Sequence, residues 1–166
     1  KGISLQHLLC PFRSDPKPKC TNNKTEGKVC PVCVNDLGNE KLREICAQCD
    51  IIYSYKCLIC ERQGIKSKYG GQSGRAMGVR SCEHMAAIKI AAYEDMMSDK
   101  FKKAVDTCAG AKHHAEKHKG ERPEYEFKQE KRCRGQLDRD CKESAFVRSD
   151  PDCTMNQRAE DNGLRM

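Results

Sequence analysis

Apolar side chains recur with a structural period in two stretches of the chain. From Met85 to Cys108, residues Ala86, Ile90, Tyr93, Met97, Phe101, Ala104 and Cys108 follow one another at steps of three and four. Such spacing places them on one stripe and predicts a single amphipathic helix over 85–108, with Ser81 as a start signal and Gly110 as a stop. Met85, Met96 and Met97 read as core filler within it. The run Ile51-Ile52-Tyr53-Ser54-Tyr55 is β-branched and aromatic and predicts a strand. Weaker apolar clusters sit at Ile3–Phe12, a short docking helix or strand, and at Leu37, Leu42 and Ile45 around Gly38, a hairpin or short helix. Residues 14–28 are rich in Pro, Lys and Asn and read as loop, and Pro123 to Phe127 as a short edge strand.

So little periodic apolar sequence leaves the chain short of core. Only 37% of its 166 residues are apolar, Trp is absent, a third are charged, and mean hydropathy is -0.82. A polar chain of this size usually needs metals or disulfides as staples, and 13 cysteines supply the material. No apolar run approaches the ~20 residues that span a bilayer, so membrane insertion is not expected.

The cysteines are patterned. Cys30-Pro-Val-Cys33, Cys46-Ala-Gln-Cys49 and Cys57-Leu-Ile-Cys60 are three C-x-x-C knuckles, and Cys82-Glu83-His84 adds a Cys-x-His. Two residues between thiolates let one turn aim both sulfurs at one ion about 2.3 Å away, and a second pair completes a tetrahedron. Eight donors fill two zinc sites: Cys30, Cys33, Cys46, Cys49, Cys57, Cys60, Cys82 and His84. Sequential pairing joins Cys30, Cys33, Cys46 and Cys49 on one ion and Cys57, Cys60, Cys82 and His84 on the other. Interleaved pairing joins the first knuckle to the third and the second to the Cys-x-His. Spacing leaves both open.

Four pairs in this order, ending before a helix, resemble the cross-brace zinc families of the RING, FYVE and PHD types over residues 30–84. The resemblance implies zinc and a compact brace. The chain departs from FYVE at Lys41-Leu42-Arg43-Glu44-Ile45, where a basic Arg/His cluster belongs, and from RING in placing Cys-x-His last. In overall style, a basic, cysteine-rich chain opening Lys1-Gly2-Ile3 also resembles secreted zinc-finger effectors of plant-pathogenic fungi. That resemblance implies secretion and action inside a host cell, with a nuclear or cytoplasmic setting as the alternative.

Six cysteines lie outside the knuckles: Cys10, Cys20, Cys108, Cys133, Cys141 and Cys153. They suit disulfides, of unassignable connectivity, or a third metal formed by Cys108, His113, His114, His118, Cys133 and Cys141. The net charge of +7 is concentrated in a Gly-rich segment, 61–81, where Arg62, Lys66, Lys68, Arg75 and Arg80 face only Glu61. This is a candidate partner-binding loop, for an acidic protein surface or for phosphates, or else a solvated hairpin. No catalytic pattern stands out. The deaminase signature is absent, and Cys82-Glu83-His84 are too close in sequence to form a nucleophile, acid and base.

These observations predict a small, zinc-stabilised α+β protein. An N-terminal extension (1–29) precedes a zinc-knuckle brace (30–109) that carries the long helix, and a charged, cysteine-containing segment (110–166) follows. Two zinc ions, or three, would hold a non-catalytic surface that recognises a macromolecule, a protein first and nucleic acid second, with a cross-brace ubiquitin-ligase module as a further alternative.

Overall fold

The computed structural model of the chain describes residues 30–32 and 40–156. The expectations for Ile3–Phe12, the 14–28 loop, Cys10, Cys20 and Cys33 lie outside them.

The organising element is strand β1 (Ile51–Cys57), at the centre of a three-stranded antiparallel sheet ordered β2 (Lys68–Ser73), β1, β3 (Tyr125–Arg132). Its near-unbroken apolar sequence means burial on both faces. On one face Ile51, Tyr53, Tyr55 and Cys57 join Ile88, Ala91, Phe101, Ala104 and Ala111 in the main core. Those partners come from three helices: α3 (Met77–Tyr93), α4 (Asp99–Thr107) and α5 (Ala109–Lys117). On the other face Ile52 packs with Phe146 and Cys153. Phe146 belongs to α6 (Gln136–Ser149), and Cys153 precedes a 3-10 turn at Thr154–Asn156. Two further helices flank β1: α1 (Glu40–Ala47) before it and the short α2 (Leu58–Arg62) after it. The layers are thus α3–α5, the sheet, and α6. The strand predicted at Ile51–Tyr55 is β1, and the edge strand predicted at Pro123–Phe127 is the start of β3, which lies at the sheet edge.

The single helix expected over 85–108 is two helices. α3 begins earlier, at Met77, with Ser81 inside it and donating its hydroxyl to the Gly78 carbonyl. The chain then breaks at Glu94–Ser98. Asp95 accepts the Met97 amide, and Ser98 caps α4 by accepting the Phe101 amide at 3.1 Å. The end of α3 is clasped from outside. Lys119 donates its ammonium to the Ala91 and Glu94 carbonyls, lies over the Phe101 ring, and is followed by Gly120, whose amide bonds the Ala92 carbonyl. The periodicity crosses the break because both helices turn their apolar faces to one core. Tyr93 and Met97, members of the predicted stripe, fall at the corner and are 61% and 76% exposed.

The Gly-rich segment 61–81 is structured too: it contains the end of α2, all of β2 and the first turn of α3. Among the described residues no two cysteines are at disulfide distance, and Cys108, Cys133, Cys141 and Cys153 are free thiols. Cys153 instead fills core space against Ile52 and Phe146, as a small hydrophobe.

Candidate metal centre

Cys57 closes β1 and caps α2, and Cys60 lies in that helix. The C-x-x-C turn is therefore a strand-to-helix turn. Opposite stands α5. Its N-terminus is seated on β1 because Gly110 donates its amide to the Tyr55 hydroxyl at 2.9 Å. No larger residue would fit there, since a Cβ on Gly110 would lie 2.8 Å from the Tyr55 ring. This docking brings His113, in α5, and His118, at its C-cap, over the knuckle. Residues five apart do not share a helix face. Here the helix ends at Lys117 and His118 leaves helical geometry (φ -138°, ψ 26°), which swings its ring back toward that of His113.

One ligand atom from each of Cys57, Cys60, His113 and His118 lies within 4.8 Å of all the others. The Cys60 sulfur is 3.3 Å from His113 Nε2 and 3.1 Å from His118 Nε2. Cys57, Cys60 and His118 are buried, and His113 is half-buried. Burial, then the neighbouring His118 and His114, pushes the His113 imidazole down to about 4. It is therefore neutral near pH 7, with a lone pair available to an ion. Burial likewise pushes the Cys57 thiol up, partly offset by the Cys60 amide; a cation between the sulfurs would reverse that shift.

A second layer supports the four. The His118 Nδ1 has no hydrogen-bond partner, and the Glu121 carboxylate stands 3.5 Å from it. Closing that gap by a few tenths of an ångström would give the carboxylate–imidazole hydrogen bond that orients metal-binding histidines. His114 is fully buried but faces elsewhere: its Nε2 is 3.1 Å from the Glu121 carbonyl and its Nδ1 3.4 Å from the Tyr125 hydroxyl. It holds the 118–121 turn in place and is not one of the four donors.

The donor set cuts across both pairings expected from sequence. Among the described residues, the group that holds Cys57 and Cys60 includes neither Cys82 and His84 nor Cys30. His84 is buried, with Nε2 2.7 Å from the Tyr53 hydroxyl and Nδ1 3.3 Å from the Cys108 sulfur. Burial, then the Arg80 guanidinium, holds its imidazole down to about 3. Cys82 is half-buried on α3. The third grouping also divides: His113 and His118 join the third knuckle, Cys108 bonds His84, and Cys133 and Cys141 sit at the start of the turn after β3 and on α6. In the first two knuckles the Cys30 and Cys46 sulfurs are 3.4 Å apart, whereas Cys49 is exposed with its sulfur 3.9 Å from the Ala47 carbonyl. The missed signal was C-x2-C followed by H-x4-H, a spacing known from zinc sites. The intervening stretch, from Cys60 to His113, is far longer than the usual dozen or so residues, which hid it.

The basic residues of 61–81 are each matched by an acid from elsewhere in the fold. Arg62 pairs with Glu124 at 2.7 Å, Lys66 with Asp152 at 2.8 Å, and Lys68 with Asp150 at 2.8 Å and Glu130 at 3.3 Å. Arg75 and Arg80 share Glu83, and Arg80 also donates to the Tyr53 hydroxyl. The lopsided charge seen in sequence is compensated in three dimensions. Comparison with protein-family models, curated proteins and solved structures finds no match for this chain.

Proposed function

We propose that the chain is a non-catalytic binding module held in shape by zinc, and that its folded surface recognises a partner macromolecule, in the first place a protein. The observation that carries this reading is the donor set Cys57, Cys60, His113 and His118, all within mutual reach. Two thiolates and two imidazoles suit tetrahedral zinc. Four protein ligands leave no position for water or substrate, which is the pattern of a structural site. The internal pairing of Arg62, Lys66, Lys68, Arg75 and Arg80 favours a protein partner over nucleic acid, because those cations are already answered.

Native mass spectrometry with and without chelator, joined to binding assays on duplex and single-stranded nucleic acid, tests the reading. Zinc bound at the centre, with nucleic-acid affinity no better than about 10⁻⁴–10⁻⁶ M, supports it. Affinity near 10⁻⁸ M that falls steeply between about 50 and 200 mM salt would transfer the function to the basic segment. Absence of zinc removes the zinc-held reading. The cross-brace ubiquitin-ligase alternative needs discharge of a charged ubiquitin-conjugating enzyme, and failure to discharge removes it. A thiol count on the same sample decides the setting. Blocked Cys108, Cys133, Cys141 and Cys153 speak for a secreted effector; free ones speak for a nuclear or cytoplasmic protein.

A further inference from the structure

We propose that Tyr125 is a positioning residue of the candidate metal centre: its hydroxyl donates a hydrogen bond to the Cys57 thiolate, and so sets that sulfur's direction and its donor strength toward the ion. The inference rests on the zinc-held reading and adds to it a residue outside the four donors.

The sheet register places the two residues side by side. Cys57, the last residue of β1, and Tyr125, the first of β3, are direct partners across the antiparallel pair. Side chains so paired share a face of the sheet, with Cβ atoms about 4.5–5.5 Å apart. The pair is pinned beside the knuckle, because Leu58 donates its amide to the Glu124 carbonyl at 2.9 Å and β3 therefore starts where α2 starts. Cys57 is fully buried and Tyr125 is 8% exposed, so the phenol has to find its partner within the protein.

That hydroxyl has one proton and three acceptors in reach. Two are the Gly110 carbonyl at 3.3 Å and the His114 Nδ1 at 3.4 Å. The third is the Cys57 side chain, to which the phenol is also hydrogen-bonded. A hydroxyl bond to oxygen settles near about 2.7–2.8 Å, so neither of the first two holds the proton firmly. A thiolate is the strongest acceptor of the three, since a bond to an ionised partner is roughly twice as strong as a neutral one. Burial, then the charge of the Cys57 thiol and its hydrogen bond, holds the phenol well above its ordinary range, so Tyr125 keeps the proton that it gives. The Cys60 and Ile59 amides also reach Cys57, but from its own turn. Tyr125 brings a donor from another strand, and through it β3 fixes where the Cys57 sulfur points.

The test compares the full chain with its Tyr125→Phe variant by zinc-competition titration and by the absorption spectrum of the cobalt(II)-loaded protein. Zinc affinity should fall about 10- to 100-fold, as it does when an outer partner of a ligand is lost. The sulfur-to-cobalt charge-transfer band should also move to longer wavelength, because a thiolate relieved of a hydrogen bond holds its lone pairs less tightly. Weaker zinc with an unmoved band means that the hydroxyl only props α5 through Gly110 and His114, and overturns the inference. Unchanged affinity with an unmoved band overturns it too, and leaves the centre standing. A wild type that takes up neither metal sinks instead the reading built on Cys57, Cys60, His113 and His118. Should Tyr125→Phe fail to fold, wild type loaded with an NMR-active cadmium isotope decides. Magnetisation transfer from the Tyr125 hydroxyl proton to the metal through the Cys57 sulfur supports the assignment. Its absence, with transfer from the Cys57 β-protons present, refutes it.

Discussion

On the proposed reading, removing zinc from the donor set Cys57, Cys60, His113 and His118 should unfold much of the protein. The centre ties β1 and α2 to α5 across the chain from Cys60 to His113, a loop of about 53 residues. Treated as a cross-link, closure of a loop that long removes unfolded-state entropy worth ~4 kcal/mol at 25 °C. Typical domains are stable by only about 5–15 kcal/mol in total, so this one tie is a large fraction of the whole. The thiols left behind become neutral and fit their pockets, so the loss is mainly that of the constraint. The assay is urea unfolding followed by circular dichroism, with zinc in excess and after chelation, in wild type and Cys60→Ala. A lowered midpoint or an absent transition is expected in chelator, matched by Cys60→Ala in zinc, while exposed Cys141→Ser behaves as wild type. An unchanged midpoint after verified zinc removal would refute the argument.

Tyr55→Phe should cost ~1–3 kcal/mol and loosen zinc, because it strips the buried Gly110 amide of its acceptor; urea midpoints and zinc-competition titrations read both effects. His84, 4% exposed and held at about 3, is neutral when folded but takes up a proton at its ordinary 6.5 when unfolded. Its contribution is therefore intact above 6.5 and is lost as pH falls toward 3, by ~2 kcal/mol at pH 5. With zinc saturating, His84→Gln should flatten the stability profile between pH 6 and 4 by about 1.4 kcal/mol per pH unit relative to wild type, and equal slopes would refute the assignment. Native alkylation should label exposed Cys49 and Cys141 before buried Cys153, whose thiol burial pushes up to about 11; mass-mapped labelling of Cys153 ahead of them would contradict the fold.

The sheet's centre was legible because Ile51–Tyr55 is short, β-branched and aromatic, and such a run has few other ways to be buried. The helix break was not, because the apolar steps run unbroken through Glu94–Ser98. What breaks the helix is a serine cap and a lysine arriving from a residue 25 positions past Glu94. The thiol half of the metal centre was legible in C-x-x-C spacing, since two residues suffice for the turn. Its imidazole half was not, because His113 and His118 reach the knuckle only through the docking of α5 on Tyr55, a contact between residues far apart in sequence. The charge balance of the basic segment was hidden for the same reason: Glu124, Glu130, Asp150 and Asp152 come to it from the other end of the chain.

Lys119 follows directly on His118, and its ammonium grips the last turn of α3 while covering Phe101. The ring that the proposed centre would use and the side chain that holds the helix corner are therefore adjacent residues on one short turn. On the proposed reading, loss of the ion would loosen both, and the corner they hold carries Tyr93, Met96 and Met97, each more than half exposed. A partner seated on those three side chains would then sense whether the proposed centre is filled.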